Sequence, residues 1–237
     1  MMNLMKRNVL GMVVGGIALL GVASPSVLAQ DGGKPGKSPA ASQPEKKEHK
    51  DGQGETKKQS GAKVGEQAPA FELKDTDGKT VKLEDYKGKI VVLEWFNPEC
   101  PVVQMHYKAN TMNTTYAKFK DKGVVWLAVN SGGKGKEGAG TEASAKAKKN
   151  WKMDRPVLID ESGKVGKTYG AKTTPHMFVI DAKGTLVYAG AIDDGGPGGA
   201  GKVNHVEKAL EQTLKGETVT TSTTKPYGCG VKYGSGA

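Results

Sequence analysis

Two cysteines are the residues of this sequence whose type and position could support chemistry. Cys100 follows a mainly apolar run and precedes Pro101, and Cys229 stands between two glycines near the C-terminus. Proline is favoured at the first position of a helix, so Cys100 is expected at a helix N-terminus, on an exposed corner between strand and helix. The helix dipole and the free N–H groups there stabilise a thiolate. Cys100 is therefore a predicted nucleophile, although an even number of cysteines also fits a structural disulfide.

Hydrophobic periodicity predicts the elements that position these cysteines. Alternation around a turn indicates a β-hairpin over 71–83, and the run at 90–96 (IVVLEWF) is typical of a buried central strand in which Glu94 needs a partner. Further strands are predicted at 124–129, 157–160, 177–181 and 186–191, and helices at 101–121, 142–151, 164–169 and 203–214. This order predicts an α/β fold with a central mixed sheet, helices on both faces and an N-terminal β-hairpin.

The first 63 residues are predicted to lie outside the folded domain. Residues 1–29 have a basic start, an apolar run and small residues before Ala29, which is the layout of a secretory signal peptide cut after Ala29. An uncleaved membrane anchor is the alternative, but glycines dilute a run already short for a span. Residues 30–63 are rich in lysine, glycine and proline and are expected to be a disordered linker. The folded domain is then 64–237, exported to the periplasm, cell envelope or extracellular space.

The composition excludes several classes of protein. Hydrophobic residues make up 36% of the 237 residues and charged residues 25%, which excludes a fully disordered chain and an integral membrane protein. The net charge of +10 comes mainly from lysine, which lacks the planar fork suited to base edges, so nucleic-acid binding is not expected. The cysteines and histidines have no zinc or copper spacing, and no cofactor is predicted. The glycine-rich segment 195–201 lacks the Gly-Lys-Ser/Thr end of a phosphate loop and is interpreted as a flexible loop.

Three segments together carry a resemblance to a known family. They are GEQAPAFELKDTDGKTVKLEDYKGKIVVLEWFNPECP, LIDESGKVGKTYGAKTTPHMFVIDAKGTLVYAGAIDD and TKPYGCGVKY. Over residues 64–233 the sequence resembles the thioredoxin-fold redoxins, and within them the peroxiredoxin-like subgroup of the alkyl hydroperoxide reductase and thiol-specific antioxidant (AhpC/TSA) superfamily. The resemblance implies a thioredoxin-like fold, a cis-proline at Pro175 that forms a substrate-binding ledge with Thr174, and an aromatic residue, Trp95, near the thiol.

The sequence departs from the family's motifs at four positions. The second cysteine of a thioredoxin CxxC motif would fall at Val103, so Cys100 has no local partner. Peroxiredoxins have a Pro-x-x-x-Thr-x-x-Cys motif and a later arginine that binds peroxide, and the matching proline, threonine and arginine positions are Leu93, Asn97 and Thr174. Fast peroxide reduction is therefore in question, while thiol exchange needs only an accessible thiolate and a leaving sulfur. Asn97 could partly replace the threonine as a hydrogen-bond donor.

Three functions remain open on the sequence alone. In the first, an exported thiol-disulfide oxidoreductase, Cys100 is the reactive thiolate and Cys229 swings in on a mobile tail to resolve a mixed disulfide. In the second, a peroxidase, Cys100 becomes a sulfenic acid that condenses with Cys229. In the third, a non-catalytic binding module, the two cysteines form a permanent clasp.

The three alternatives imply which partners the protein has. The substrate is a thiol or disulfide protein or a small peroxide, and an external thiol supplies electrons. No nucleic-acid partner and no stable membrane insertion are expected.

The two histidines near the predicted site have separate expectations. His106 is expected to have a packing or surface role. His176 follows the expected cis-proline, where it could contact a bound peptide or tune the thiolate.

Overall fold

The computed structural model describes residues 61–235, so the predicted signal peptide and nearly all of the predicted linker lie outside the described residues. The strands are β1 (Glu72–Asp75), β2 (Thr80–Lys82), β3 (Val91–Trp95), β4 (Val125–Asn130), β5 (Val157–Ile159), β6 (Thr173–Thr174), β7 (His176–Ile180), β8 (Leu186–Gly190) and β9 (Cys229–Gly230). Seven of them form one sheet in the order β2-β1-β5-β4-β3-β7-β8, and β6 pairs with β9.

The large sheet is mixed, as the sequence predicts. The central strands β3, β4 and β5 are parallel. The outer neighbours β1, β2, β7 and β8 run antiparallel to the strands that they join. The predicted N-terminal hairpin is β1–β2, and it forms one edge of this sheet rather than a separate layer.

The helices are α1 (Pro101–Lys108), α2 (Thr111–Lys120), α3 (Gly140–Asn150), α4 (Lys164–Tyr169) and α5 (His205–Leu214), with a short 3-10 helix at Leu83–Tyr86. The single helix predicted over 101–121 is wrong, because Asn110 adopts a left-handed φ of 59° and divides it into α1 and α2. Apolar residues at near-helical spacing continue through the break, which explains why periodicity alone did not reveal it. None of the helices within 61–235 has the length and apolar character of a membrane span.

Two apolar clusters fill the two faces of the sheet. The first contains Cys100 and takes residues from α1, α2, α3 and α5; the second contains Trp95 and takes Tyr169 from α4. Successive residues of β3 alternate between these faces, so Val92 belongs to the first cluster and Leu93 to the second. The helices therefore cover both faces, and the thioredoxin-like α/β fold is confirmed.

The first described residues already contact the domain. The described chain begins at Gly61, and the N–H of Ala62 donates to the Thr168 carbonyl at 2.9 Å, so Ala62 is joined to the end of α4.

Candidate active site

Cys100 lies at the N-cap of α1, directly after β3 and the turn at 97–99. Pro101 is the first residue of that helix, as the sequence predicts. The prediction of an exposed thiol is wrong, because Cys100 is only 3% exposed. Its Sγ donates to the Thr174 carbonyl oxygen at 3.0 Å. The sulfur therefore faces the loop around Pro175 and the segment packed on that loop.

The loop that faces Cys100 carries the expected cis-proline. The peptide bond between Thr174 and Pro175 is cis, and Thr174 is 1% exposed. Thr174 pairs antiparallel with Cys229 in the β6–β9 sheet, and its hydroxyl donates to the Cys229 carbonyl at 3.5 Å. A Cβ atom on Gly228, whose φ is 129°, would overlap the Thr174 carbonyl oxygen. Glycine before Cys229 therefore lets the two backbones approach closely.

The segment that carries Cys229 packs on the rest of the domain, and the residues that follow Cys229 hold it there. We call residues 222–233 the C-terminal tail. The N–H of Val231 donates to the Lys172 carbonyl at 3.1 Å, and the Gly133 N–H donates to the carbonyl of Lys232 at 2.9 Å. The Tyr233 hydroxyl donates to a further carbonyl, that of Ala171, at 2.8 Å. The tail is thus held by backbone pairing and hydrogen bonds, in contrast to the mobile tail that its glycines suggested.

The two thiols lie next to each other and have opposite pKa shifts. Burial works against ionisation of Cys100, but hydrogen bonding from the Cys229 and Thr174 side chains and from the Val103 N–H outweighs it and lowers the pKa of Cys100. Burial, together with the hydrogen bond to Cys100 and the charge of that residue, raises the pKa of Cys229 to about 11. The two cysteines are not joined by a disulfide in this structure. The pair therefore consists of a thiolate former at Cys100 and a retained thiol at Cys229.

This asymmetry gives a testable pH dependence. Iodoacetamide reacts with thiolates, so its rate of alkylation of each cysteine is expected to follow the thiolate fraction of that cysteine. Each rate is divided by its own plateau value, which removes the difference in solvent access between the two thiols. The Cys100 rate should level off below the ordinary thiol value of 9.0, whereas the Cys229 rate should still rise at pH 10. Peptide mass spectrometry across a pH series measures both. In Cys229→Ala the Cys100 midpoint should move up, because a donor to the sulfur is lost; equal midpoints in the wild type would contradict the assignment.

Asn97 and Trp95 have structural contacts instead of contacts with the thiols. The Asn97 side-chain amide donates to the Glu137 carbonyl at 3.0 Å, and its oxygen accepts from the Glu99 N–H at 2.8 Å. Asn97 therefore shapes the turn before Cys100 and has its amide committed elsewhere. Trp95 lies in the other apolar cluster, where its indole N–H donates to Ser131 at 3.0 Å. The structure does not bring Trp95 to the cysteines.

A buried ionic group, which the sequence indicated only through Glu94, supports the strand that leads to the site. One Glu94 oxygen accepts from Tyr107 and the other from Trp126, both at 2.8 Å. Arg155 lies 3.4 Å from the same carboxylate and donates to the Tyr107 hydroxyl at 2.9 Å. Both side chains of this ion pair are at most 1% exposed. Glu94 thus has the partner expected from the sequence, and that partner is an arginine 61 positions later in the chain.

Three polar residues near the cysteines were given no definite role by the sequence. His106 on α1 is fully buried and contacts the hydroxyl of Tyr227 in the C-terminal tail at 3.0 Å. Asp193 accepts the hydrogen bond of the same hydroxyl. Tyr227 and Asp193 stand inside the segments that carry the family resemblance, yet only their contact across the fold reveals them. His176 is also buried; burial lowers the pKa of this histidine to about 4, so it is neutral at pH 7. Within residues 61–235 the histidines, cysteines and carboxylates form no cluster suited to a metal ion.

Comparisons with known proteins agree with this geometry. The profile of the AhpC/TSA family matches residues 64–189. A thiol-disulfide oxidoreductase ResA from Bacillus cereus is 32% identical over 138 residues, which are 57% of this chain and 73% of that protein. The crystal structure of an uncharacterised conserved protein from Geobacillus kaustophilus has a TM-score of 0.67 and 30% identity, covering 74% of this chain and 94% of that one.

A more distant solved structure supports the fold alone. The solution structure of a candidate thioredoxin from Neisseria meningitidis has a TM-score of 0.50 and 21% identity, covering 65% of this chain and 93% of that one. The fold, the cysteine at the start of α1 and the family profile agree. The chain therefore belongs to the AhpC/TSA family and is a thioredoxin-fold redoxin.

Proposed function

We propose that this protein is a thiol-disulfide oxidoreductase in which Cys100 attacks the substrate and Cys229 resolves the mixed disulfide. The observation that carries the proposal is that both free cysteines meet at Thr174, whose carbonyl accepts from Cys100 Sγ at 3.0 Å and whose backbone pairs with Cys229. The opposite pKa shifts of the two thiols support it. Similarity to ResA supports the same class of reaction. The substrate that we propose is a disulfide of a protein or a small molecule, and an external thiol restores the reduced pair.

The reaction takes place in two exchange steps. The Cys100 thiolate attacks one sulfur of the substrate disulfide, forms a mixed disulfide and releases the first substrate thiolate. Cys229 then loses its proton to solvent, attacks the Cys100 sulfur and releases the second thiolate. The product is a disulfide between Cys100 and Cys229, and the two electrons of the pair have reduced the substrate.

The contact between the thiols also explains why the steps occur in this order. In the reduced protein, the charge of Cys100 and a hydrogen bond to it contribute to the raised pKa of Cys229. Once Cys100 is joined to the substrate, its sulfur carries no charge, and both contributions are lost. Cys229 therefore becomes more acidic when its thiolate is needed, and it remains a thiol beforehand.

Peroxide reduction is less well supported by the site. The amide of Asn97, at the position of the peroxide-binding threonine, donates to the Glu137 carbonyl and not toward Cys100. Thr174, at the aligned arginine position, supplies a hydroxyl instead of a guanidinium, and that hydroxyl is shared between the Cys229 carbonyl, at 3.5 Å, and the Cys100 sulfur. The two groups that would orient a peroxide are thus absent or already engaged.

One experiment separates the three candidate functions. The reduced protein is mixed with one equivalent of a small disulfide or of hydrogen peroxide, quenched with an alkylating reagent and analysed by mass against time. We expect rapid formation of the Cys100–Cys229 disulfide with the disulfide, and oxidation by peroxide no faster than for free cysteine. Much faster oxidation by peroxide would assign a peroxidase, and a pair that resists reduction beforehand would assign a clasp.

We also propose that the folded domain works outside the cytoplasm. The support comes from the sequence of residues 1–29, with Lys6 and Arg7 before an apolar run and a cleavage pattern ending at Ala29. In such a compartment a disulfide between Cys100 and Cys229 persists until a specific thiol donor reduces it.

A further inference from the structure

On the N-terminal side of Cys229, the Thr224 hydroxyl of the C-terminal tail accepts from the Ala191 N–H at 2.8 Å, and the side-chain anchor nearest to the cysteine in sequence is Tyr227. Its hydroxyl donates to an Asp193 oxygen and lies 3.0 Å from Nε2 of His106. The remaining hydrogen bonds of Asp193 come from the N–H groups of Gly195 at 3.0 Å and Gly201 at 2.9 Å. Asp193 is therefore fixed by its own loop, and it offers Tyr227 a rigid acceptor.

The hydroxyl of Tyr227 also determines how the buried histidine is used. Because the hydroxyl donates its proton to Asp193, it accepts from His106, which requires the proton of the neutral imidazole to be on Nε2. The other nitrogen, Nδ1, has no hydrogen-bond partner among residues 61–235 and lies 3.9 Å from the Asp193 carboxylate. Burial lowers the pKa of His106, in keeping with a neutral ring. The histidine thus serves as a donor to the tail, and its α1 position connects that tail to the helix that begins at Cys100.

The distance along the chain makes this anchor relevant to the reaction. One residue, Gly228, lies between Tyr227 and Cys229, so their Cα atoms are at most about 7 Å apart. Fixing the hydroxyl therefore restricts where the Cys229 sulfur can go. In the same tail, Cys229 lies against Cys100, which is 3% exposed. A substrate disulfide reaches Cys100 only when the tail moves away, and resolution requires the tail to return.

We propose that Tyr227 is a positioning residue, an inference that rests on the proposed function. Its hydroxyl, held between Asp193 and His106, closes the tail over Cys100 and positions Cys229 for the resolving attack. This role predicts effects of opposite sign on the two steps. Loss of the hydroxyl opens the tail, which speeds the attack by Cys100 and slows the attack by Cys229. A general loss of stability would not divide the two steps in this way.

The test is single-turnover reaction of the reduced protein with the aromatic disulfide DTNB, which releases one coloured thiolate at each step. In Tyr227→Phe, which keeps the ring, we expect the first release to be several-fold faster. We expect the second to be about tenfold slower, the effect of one lost hydrogen bond to a charged group. The matched control is Tyr169→Phe, which removes a buried hydroxyl that donates to the Pro69 carbonyl at 2.6 Å in the other cluster. The control should lower the melting temperature and leave both release rates unchanged.

Other outcomes are equally informative. Unchanged rates in Tyr227→Phe, or two steps slowed by the same factor, would overturn the positioning role while the proposed function stands. A wild-type protein that releases only one equivalent would overturn the proposed function. In that event, faster alkylation of Cys100 in Tyr227→Phe than in the wild type would still support the anchoring of the tail, and equal alkylation rates would overturn that as well.

Discussion

Replacing Cys100 with serine is expected to slow disulfide reduction on the order of a thousandfold or more, because the nucleophile itself is removed. The remaining thiol, Cys229, is a poor substitute, since its pKa is raised to about 11 and little thiolate forms at pH 7. The serine keeps the N-cap position of α1, where a hydroxyl is favoured, so the fold should persist. The measurement is the first phase of thiolate release from DTNB under single-turnover conditions.

The matched control for this prediction is Cys229→Ser. That variant should still complete the first exchange and release one equivalent of thiolate, leaving the Cys100 mixed disulfide as a stable product detectable by mass. If Cys100→Ser instead reacts within tenfold of the wild type, Cys229 is the attacking thiol, and the assignment of the two roles is wrong.

Replacing Arg155 with methionine is expected to lower the free energy of unfolding by about 3–5 kcal/mol, because a buried carboxylate is left without its cation. Arg155 and Glu94 are at most 1% exposed, and their side chains lie 3.4 Å apart. The guanidinium also donates to Asn113 at 2.9 Å and lies over the ring of Tyr116 at 5.4 Å. Urea unfolding at pH 7, followed by circular dichroism, measures the change.

A double variant distinguishes the effect of charge from that of packing. In Glu94→Gln combined with Arg155→Met, the buried charge is gone, and the amide oxygen can still accept from Tyr107 or Trp126. We expect the double variant to be more stable than Arg155→Met alone. If the single variant costs less than about 1 kcal/mol, the ion pair is not what stabilises this end of β3.

Local patterns were sufficient to predict the large elements. The strand β3 and the helix that begins at Pro101 follow from a continuous apolar run and a proline, features that act over a few residues. The division of the predicted 101–121 helix at Asn110 did not follow, because asparagine tolerates a left-handed φ without requiring it. The two-residue strands β6 and β9 are too short to leave a period in the sequence, and they exist only because the tail docks beside Pro175.

The sequence predicted the nucleophile of the candidate site, but it did not predict all of the residues around that nucleophile. Cys100 and Pro175 are marked by motifs, whereas the burial of the thiol depends on a tail more than 120 positions away. Trp95 was placed near the thiol by resemblance, but alternation along β3 directs it to the opposite face. Asp193 and Tyr227 are 34 positions apart, and no spacing rule connects a carboxylate to a tyrosine at that separation.

The pairing of β9 with β6 has a consequence for the choice of substrate. An extended peptide that added itself to the edge at Thr173–Thr174 would need the hydrogen bonds that Cys229 and Gly230 already make. Because the tail is part of the same chain, it competes at an effective concentration of the order of millimolar, which a freely diffusing peptide rarely reaches. Occupation of this edge by a polypeptide and uncovering of Cys100 are then a single event. Selectivity among protein substrates would depend on how well each one displaces the tail, whereas a small disulfide would need only a brief opening.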